Sequence, residues 1–140
     1  MNILLAVDGS AFTKKMLAYV AAHDEWLGAR HRYTVIHVVP KIPAHAASFL
    51  DRKVVKEYYA EEAQRVFKPI RAFFEQHGLA VEFLGAMGHV AETIAKQADA
   101  GAFDLLMMGS HGHGKLGNLV MGSVATQVLA SCRLAGLLVR

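Results

Sequence analysis

The most informative stretch of this chain of 140 residues is MGSHGHGKLGNLVMGSV, residues 108–124. Five of its residues are glycines, which lie between an apolar run typical of a buried strand and a pattern typical of a helix. Glycine permits positive φ and lets backbone N–H groups approach a ligand closely, and such N–H groups beside a helix N-terminus bind phosphate. The stretch therefore predicts a phosphate-binding loop, with a packing turn as the alternative.

The same loop contains two better-known nucleotide motifs in incomplete form. The segment from Gly109 to Lys115 fits a Walker A loop, but Leu116 replaces the Ser or Thr whose hydroxyl binds Mg²⁺. Residues 112–117 fit the Gly-x-Gly-x-x-Gly dinucleotide fingerprint, which also requires an acid about 20 residues later to bind the ribose. Because no Asp or Glu follows Asp104, the sequence argues against both a P-loop NTPase and a dinucleotide-dependent dehydrogenase.

Apolar runs and helical periodicities alternate along the rest of the chain. Short apolar or β-branched runs predict strands over 2–8, 33–39, 80–85, 103–108 and 134–139. Helical spacing predicts helices over 11–28, 51–77, 90–100 and 119–131, with an irregular connection over 40–50. In the long helix, Val54 and Tyr58 are predicted to share an apolar face with Phe74, and Pro69 is predicted to kink or break it.

This alternation of strands and helices predicts an α/β fold. We expect a single domain over residues 1–140, with an open parallel sheet, right-handed crossovers and flanking helices. Ligands of such folds bind beyond the carboxyl ends of the strands. The ends of the first, second and fourth strands bring residues 8–10, residues 38–39 and the loop from Gly109 to that edge.

The overall composition excludes several classes of protein. Hydrophobic residues make up 54% of the chain and charged residues 19%, which argues against disorder. No apolar run reaches the ~20 residues that span a bilayer, and the start at Met1 has no basic leader region, so we expect no membrane partner. The single cysteine, Cys132, can form no internal disulfide and suits a cytoplasmic protein.

Charge is unevenly distributed along the chain. All twelve Asp and Glu lie at or before Asp104, whereas only the cations Lys115, Arg133 and Arg140 follow it. A purely cationic last quarter suits an anion such as phosphate. The sequence has neither a dense basic run nor a basic–aromatic array, so nucleic acid is not an expected partner.

A longer pattern connects these observations. Gly109-x-x-Gly112, nine further residues and then Gly122-Ser123 is the spacing that marks nucleotide-binding universal stress proteins. The chain resembles that family over its whole length. Besides the spacing, the likeness is carried by residues 7–10, 36–39, 88–94 and 104–112.

The resemblance implies a Rossmann-like sheet of strand order 3-2-1-4-5, a homodimer through the last strand, and an adenine nucleotide as ligand. The ligand would be ATP, ADP or AMP, bound with Mg²⁺. Val38 would hold the adenine, and Ala6, Asp8 and Met108 would line the same cleft. The loop residues that would surround ribose and phosphates are Gly109, His111, Gly112, His113, Gly122, Ser123 and Val124.

Asp8 and the histidines of the loop have more than one interpretation. Asp8 could accept a hydrogen bond from ribose or bind Mg²⁺, or it could cap the helix that follows. His113 stands where the family often has Arg, which replaces a permanent charge by one that titrates near neutral pH. His111 and His113, together with His89, could instead ligate a metal ion.

Three functions fit the resemblance. The first is an ATP-binding stress-response regulator that acts as a homodimer. The second is a slow ATP hydrolase, although Asp8 is the only acid expected near the phosphates and no Ser-His-Asp arrangement or nucleophile elbow is present. The third is a nucleotide-free dimeric interaction protein on the same fold. The regulator is the expected function, no catalytic residue is predicted, and slow hydrolysis stays an alternative.

Overall fold

Five parallel strands form the centre of the computed structural model, which describes residues 1–114 and 120–140. The strands are β1 (Asn2–Ala6), β2 (Arg32–Pro40), β3 (Val81–Gly88), β4 (Leu105–Gly109) and β5 (Gly136–Val139). All neighbouring strands are parallel, and their order in the sheet is β3-β2-β1-β4-β5. The predicted α/β fold and the strand order 3-2-1-4-5 are therefore confirmed.

Helices connect the strands and cover both faces of the sheet. They are α1 (Ala11–Ala22), α2 (Ala44–Ala47), α3 (Arg52–Gln76), α4 (Val90–Ala100) and α5 (Ser123–Ser131), with a short 3₁₀ helix at Gly28–Arg30. Within the described ranges, no helix is both long and apolar enough to cross a membrane. The helix α3 continues through Pro69, so the proline marks no break.

Alternation along β1 divides the interior into two apolar layers. Ile3 and Leu5 are fully buried in the layer that packs against α1 and α3. Leu4 and Ala6 point into the layer that packs against α4 and α5. Successive residues of a strand face opposite sides of a sheet, so an almost continuously apolar strand is required when helices cover both faces.

Several predicted boundaries are wrong. The first helix ends at Ala22 rather than at 28, because the chain turns before Gly28, whose φ of +80° suits glycine. The last helix begins at Ser123 rather than at 119, since Gly122 has an extended backbone and acts as its N-cap; residue 119 itself lies outside the described residues. The irregular connection over 40–50 contains the short helix α2.

The first turns of α3 extend beyond the sheet. Val54 and Tyr58 are 48% and 46% exposed, and the buried apolar residues of this helix begin at Ala63. The predicted apolar face is therefore wrong for the first two turns. Since β2 ends at Pro40 and α3 returns from its carboxyl edge, the start of α3 lies beside the edge at which a ligand is expected.

The register of the sheet brings the ends of β1 and β4 to one level, and β2 continues beyond them to Pro40. Ala6 of β1 is paired with Ile36 of β2 on one side and with Met108 of β4 on the other. The chain passes from β1 to β2 in one direction and reaches β4 in the other, so the order of the strands reverses beside β1. Such a reversal opens a crevice at the carboxyl ends of the strands.

Candidate functional site

A cavity of about 360 Å³ lies at this crevice, within the usual size range of small-molecule sites. The structure brings all eleven residues that the sequence proposed for a nucleotide site to its lining. They are Ala6, Asp8, Val38, Met108, Gly109, His111, Gly112, His113, Gly122, Ser123 and Val124.

The floor of the cavity is apolar and comes from the strand ends. Ala6, Val38 and Met108 are the last inward residues of β1, β2 and β4, and each is at least nine-tenths buried. Val90 and Ile94 of α4 complete this side of the lining. A flat aromatic group would be desolvated on such a floor.

Asp8 lies in the turn between β1 and α1. Its Oδ1 accepts hydrogen bonds from the Ser10 backbone N–H, at 2.9 Å, and from the Thr13 hydroxyl, at 3.0 Å. Thr13 Oγ1 in turn accepts from the Asp8 backbone N–H, at 3.2 Å. One carboxylate oxygen therefore stabilises the start of α1, as the capping interpretation expects, although the N-cap residue itself is Ser10.

The second oxygen of Asp8 faces the glycine loop. A Cβ placed on Gly112 would lie 2.6 Å from Asp8 Oδ2, so only glycine allows the loop to approach this close. In the described part of the loop no glycine has positive φ; elsewhere in the described residues Gly9, Gly28, Gly78 and Gly88 do. The close approach of the loop to the Asp8 carboxylate, rather than a left-handed backbone conformation, therefore explains the glycine at 112.

His113 ties the loop to the end of β1. Its Nε2 lies 2.7 Å from the backbone oxygen of Asp8, and because a carbonyl oxygen only accepts, Nε2 carries the hydrogen. His111 Nδ1 lies 2.9 Å from Ser110 Oγ, and its ring stands 5.0 Å from that of Phe12. His89 does not line the cavity, and no three potential metal-binding side chains cluster anywhere in residues 1–114 and 120–140.

The helix α5 begins at the wall of the cavity. The Gly122 backbone N–H donates to Ser110 O at 2.6 Å, and a Cβ on Gly122 would lie 3.1 Å from both Ser110 O and His111 Cα. Ser123, Val124 and Ala125 form the first turn of α5 and line the cavity. The N–H groups of a first helical turn lack partners within the helix and carry partial positive charge, which suits an anion.

The structure adds residues that the sequence reasoning missed. Thr13 holds Asp8, and His37 donates from Nδ1 to the Val7 backbone oxygen at 2.8 Å, joining β2 to the end of β1.

The helix α3 contributes three further lining residues: Tyr58, Glu62 and Arg65. Their i, i+4, i+7 spacing was available in the sequence, but a polar helical face ordinarily indicates solvent. Lys115, Leu116 and Gly117 of the loop lie outside the described residues.

Glu62 and Arg65 form an ion pair at the cavity. Arg65 Nε lies 3.4 Å from Glu62 Oε2, and Arg65 Nη2 also donates to Glu62 Oε1. The hydrogen bond from Arg65 and the charges of Arg65 and His37 hold the pKa of the Glu62 carboxyl below its usual value, against the opposing effect of burial. Glu62 is therefore an anion at neutral pH, and Arg65 balances its charge.

Comparison with known sequences identifies related chains. A family model described as Universal stress protein family matches residues 1–140. A universal stress protein of Synechocystis sp. is 29% identical over 128 residues, which is 91% of this chain, and the chain spans only 38% of that relative. A universal stress protein from Thermus aquaticus, named from the QAH/OAS sulfhydrylase 3′ region, is 32% identical over 140 residues, covering 99% of this chain and 98% of the relative.

Solved structures share this architecture. The hypothetical protein MJ0577 superposes with a TM-score of 0.82 at 26% identity, over 99% of this chain and 94% of its own. A universal stress protein family protein from Arabidopsis thaliana, solved with AMP bound, has a TM-score of 0.71 at 12% identity, over 99% of this chain and 90% of its own. At 12% identity, the likeness to the Arabidopsis thaliana structure concerns the fold alone.

Proposed function

We propose that this chain, which belongs to the universal stress protein family, is a regulator that binds an adenine nucleotide in the cavity at the carboxyl ends of β1, β2 and β4. We further propose that it is a single domain, acts in the cytoplasm in a stress response, and forms a homodimer through β5. One observation carries the proposal of binding: a cavity of about 360 Å³ combines an apolar floor with a rim of glycines and helix N–H groups.

The two ends of the cavity suit the two ends of a nucleotide. The base lies over Ala6, Val38 and Met108, where burial of its faces replaces contact with water. The phosphates lie against Gly122 and Ser123, where the first turn of α5 offers N–H groups that have no partner within the helix. The relative from Arabidopsis thaliana that was solved with AMP supports a purine nucleotide as the class of ligand.

Mg²⁺ would enter with the nucleotide. Magnesium is usually held by one or two carboxylates together with substrate phosphates and water. Asp8 fits this role, because Oδ1 is fixed by Ser10 and Thr13 while Oδ2 faces the loop at Gly112. The bound ion would neutralise phosphate charge, and Asp8 would orient it.

A regulator that responds to nucleotide binding in the cavity is favoured over an enzyme that hydrolyses ATP there. Of the two acids that line the cavity, Asp8 is engaged with the start of α1 and Glu62 is paired with Arg65. In this proposal the other oxygen of Asp8 is committed to Mg²⁺, and Glu62 is committed to Arg65 as long as that pair is intact, so neither has the uncommitted position that a general base needs. If hydrolysis is measured, turnover that survives Asp8→Ala and Gly109→Val originates outside this cavity.

Calorimetric titration with Mg-ATP, ADP and AMP tests the proposal. We expect the wild type to bind at least one of them and Gly122→Val to lose binding, because the valine would collide with the backbone at Ser110 and His111. Gly85→Ala is the matched control, since its Cβ would meet Ala63 Cβ at an ordinary 3.4 Å. A wild type that binds none of the three nucleotides points instead to a nucleotide-free interaction protein.

A further inference from the structure

One face of α3 forms a polar wall of the cavity. Tyr58, Glu62 and Arg65 follow one another at helical spacing, and all three line it. The helix α3 packs on the same side of the sheet as α1, whereas α5 packs on the other side. A ligand in the cavity therefore lies between the first turn of α5 and the Glu62–Arg65 pair.

The wall on α3 is connected to the glycine loop through the turn after β1. A Cβ on Gly9 would stand 3.6 Å from Val66 Cγ2, so the residue after Arg65 packs directly on this turn. The backbone oxygen of Asp8, one residue earlier, accepts from His113 of the loop. The turn after β1 thus contacts both the loop and the residue that follows Arg65.

The charges around the cavity are unfavourable for an anion unless Arg65 takes part. Its described lining contains two carboxylates, Asp8 and Glu62, and one permanently charged cation, Arg65. The guanidinium pairs with Glu62. The Arg65 side chain is 64% exposed and that of Glu62 29%, so the arginine is the partner that can reorient. Guanidinium groups bind phosphate and carboxylate with the same fork of donors.

We infer that Arg65 is a phosphate-binding residue of this cavity, held by Glu62 when the cavity is empty and transferred to a phosphate oxygen of the ligand when a nucleotide binds. The inference rests on the proposed nucleotide binding and adds a determinant of specificity on α3. Arg65 favours ligands with a charged phosphate chain over the uncharged nucleoside. Glu62 competes with the phosphate for the guanidinium and also repels the anion, so it lowers the affinity for ATP.

The test compares Mg-ATP and adenosine as ligands of four variants. We expect Arg65→Gln to weaken ATP binding by about tenfold or more, the usual effect of losing one hydrogen bond to a charged group, and to change adenosine binding by less than about twofold. Glu62→Gln should tighten ATP binding. Lys68→Gln, an exposed cation three residues along α3 and outside the cavity lining, is the matched control and should bind like the wild type.

The double variant Glu62→Gln/Arg65→Gln separates direct contact from charge balance. If Arg65 contacts phosphate, the double variant binds ATP several-fold more weakly than Glu62→Gln. If Arg65 only neutralises Glu62, the double variant matches Glu62→Gln and the inference is overturned. Equal losses for ATP and adenosine in Arg65→Gln overturn it as well. A wild type that binds neither ligand is a different outcome, which overturns the proposed function and this inference together.

Discussion

The contact between Gly112 and Asp8 shows how a single residue sets the shape of the site. Asp8 Oδ1 is fixed by two hydrogen bonds from the start of α1, so the carboxylate has little freedom to rotate. A Cβ at 112 would stand 2.6 Å from Oδ2. Either the loop or the carboxylate must then move, and the group that would meet ribose or Mg²⁺ is displaced.

We therefore expect Gly112→Ala to weaken the binding of Mg-ATP by about tenfold or more, the scale of one lost contact to a charged group. The effect should depend on Asp8, because residues in direct contact are not additive. In an Asp8→Ala background, Gly112→Ala should change the affinity by less than about twofold, as a double-mutant cycle by calorimetry would show. Equal losses in both backgrounds would mean that the alanine acts elsewhere in the loop.

At the scale of elements, the junction of α4, α5 and β5 determines the chemistry of Cys132. The residue caps α5, and its Sγ accepts from the Leu134 backbone N–H at 3.3 Å. Asp99 of α4 accepts from the Arg133 backbone N–H at 3.0 Å. Burial raises the pKa of the Cys132 thiol, with a further increase from Asp99 and an opposing effect of the Leu134 hydrogen bond.

A raised pKa means that less thiolate is present at a given pH, and only the thiolate is nucleophilic. We expect iodoacetamide to modify Cys132 more slowly in the folded protein than in urea, with the pH of half-maximal rate higher in the folded protein. Asp99→Asn should lower that pH, because it removes a nearby negative charge and leaves the thiol as buried as before. A folded-state midpoint at or below the value in urea would contradict this account.

The elements also show what the sequence could predict. The five strands and the glycine loop were predictable, because the strands are mostly apolar or β-branched and the glycines interrupt that pattern sharply. The start of α5 was not, since residues 119–131 continue a helical pattern while Gly122 has an extended backbone. The wall formed by Glu62 and Arg65 was not predictable either. Whether a polar helical face meets solvent or a cavity depends on where the helix lies relative to the sheet.

At the scale of the whole molecule, the strand order accounts for the position of the site and leaves β5 at an edge. The sheet reverses direction beside β1, and the residues that the sequence placed at strand ends meet there. Among the described residues, β5 pairs with β4 alone and lies at the end of the sheet. An exposed edge presents unpaired N–H and C=O groups and is usually paired or protected.

The backbone of β5 indicates which groups are available for pairing with a second copy. Ala135 O and Val139 O accept from Leu106 and Ser110 on the β4 side. Since the direction of backbone groups alternates along a strand, the N–H and C=O of Leu138 point away from β4. Leu138 is therefore the position at which a substitution can remove an outward donor and preserve the ladder to β4.

We expect the wild type to be a dimer and Leu138→Pro a monomer in size-exclusion chromatography with light scattering, because proline lacks the outward N–H and is tolerated at edges. Leu138→Ala is the control. It loses the same packing against the layer of α4 and α5 as the proline variant does but keeps the N–H, so it should remain dimeric. If both variants are monomers, the side chain rather than the strand edge holds the interface. If the proline variant stays dimeric, the two copies meet on another surface.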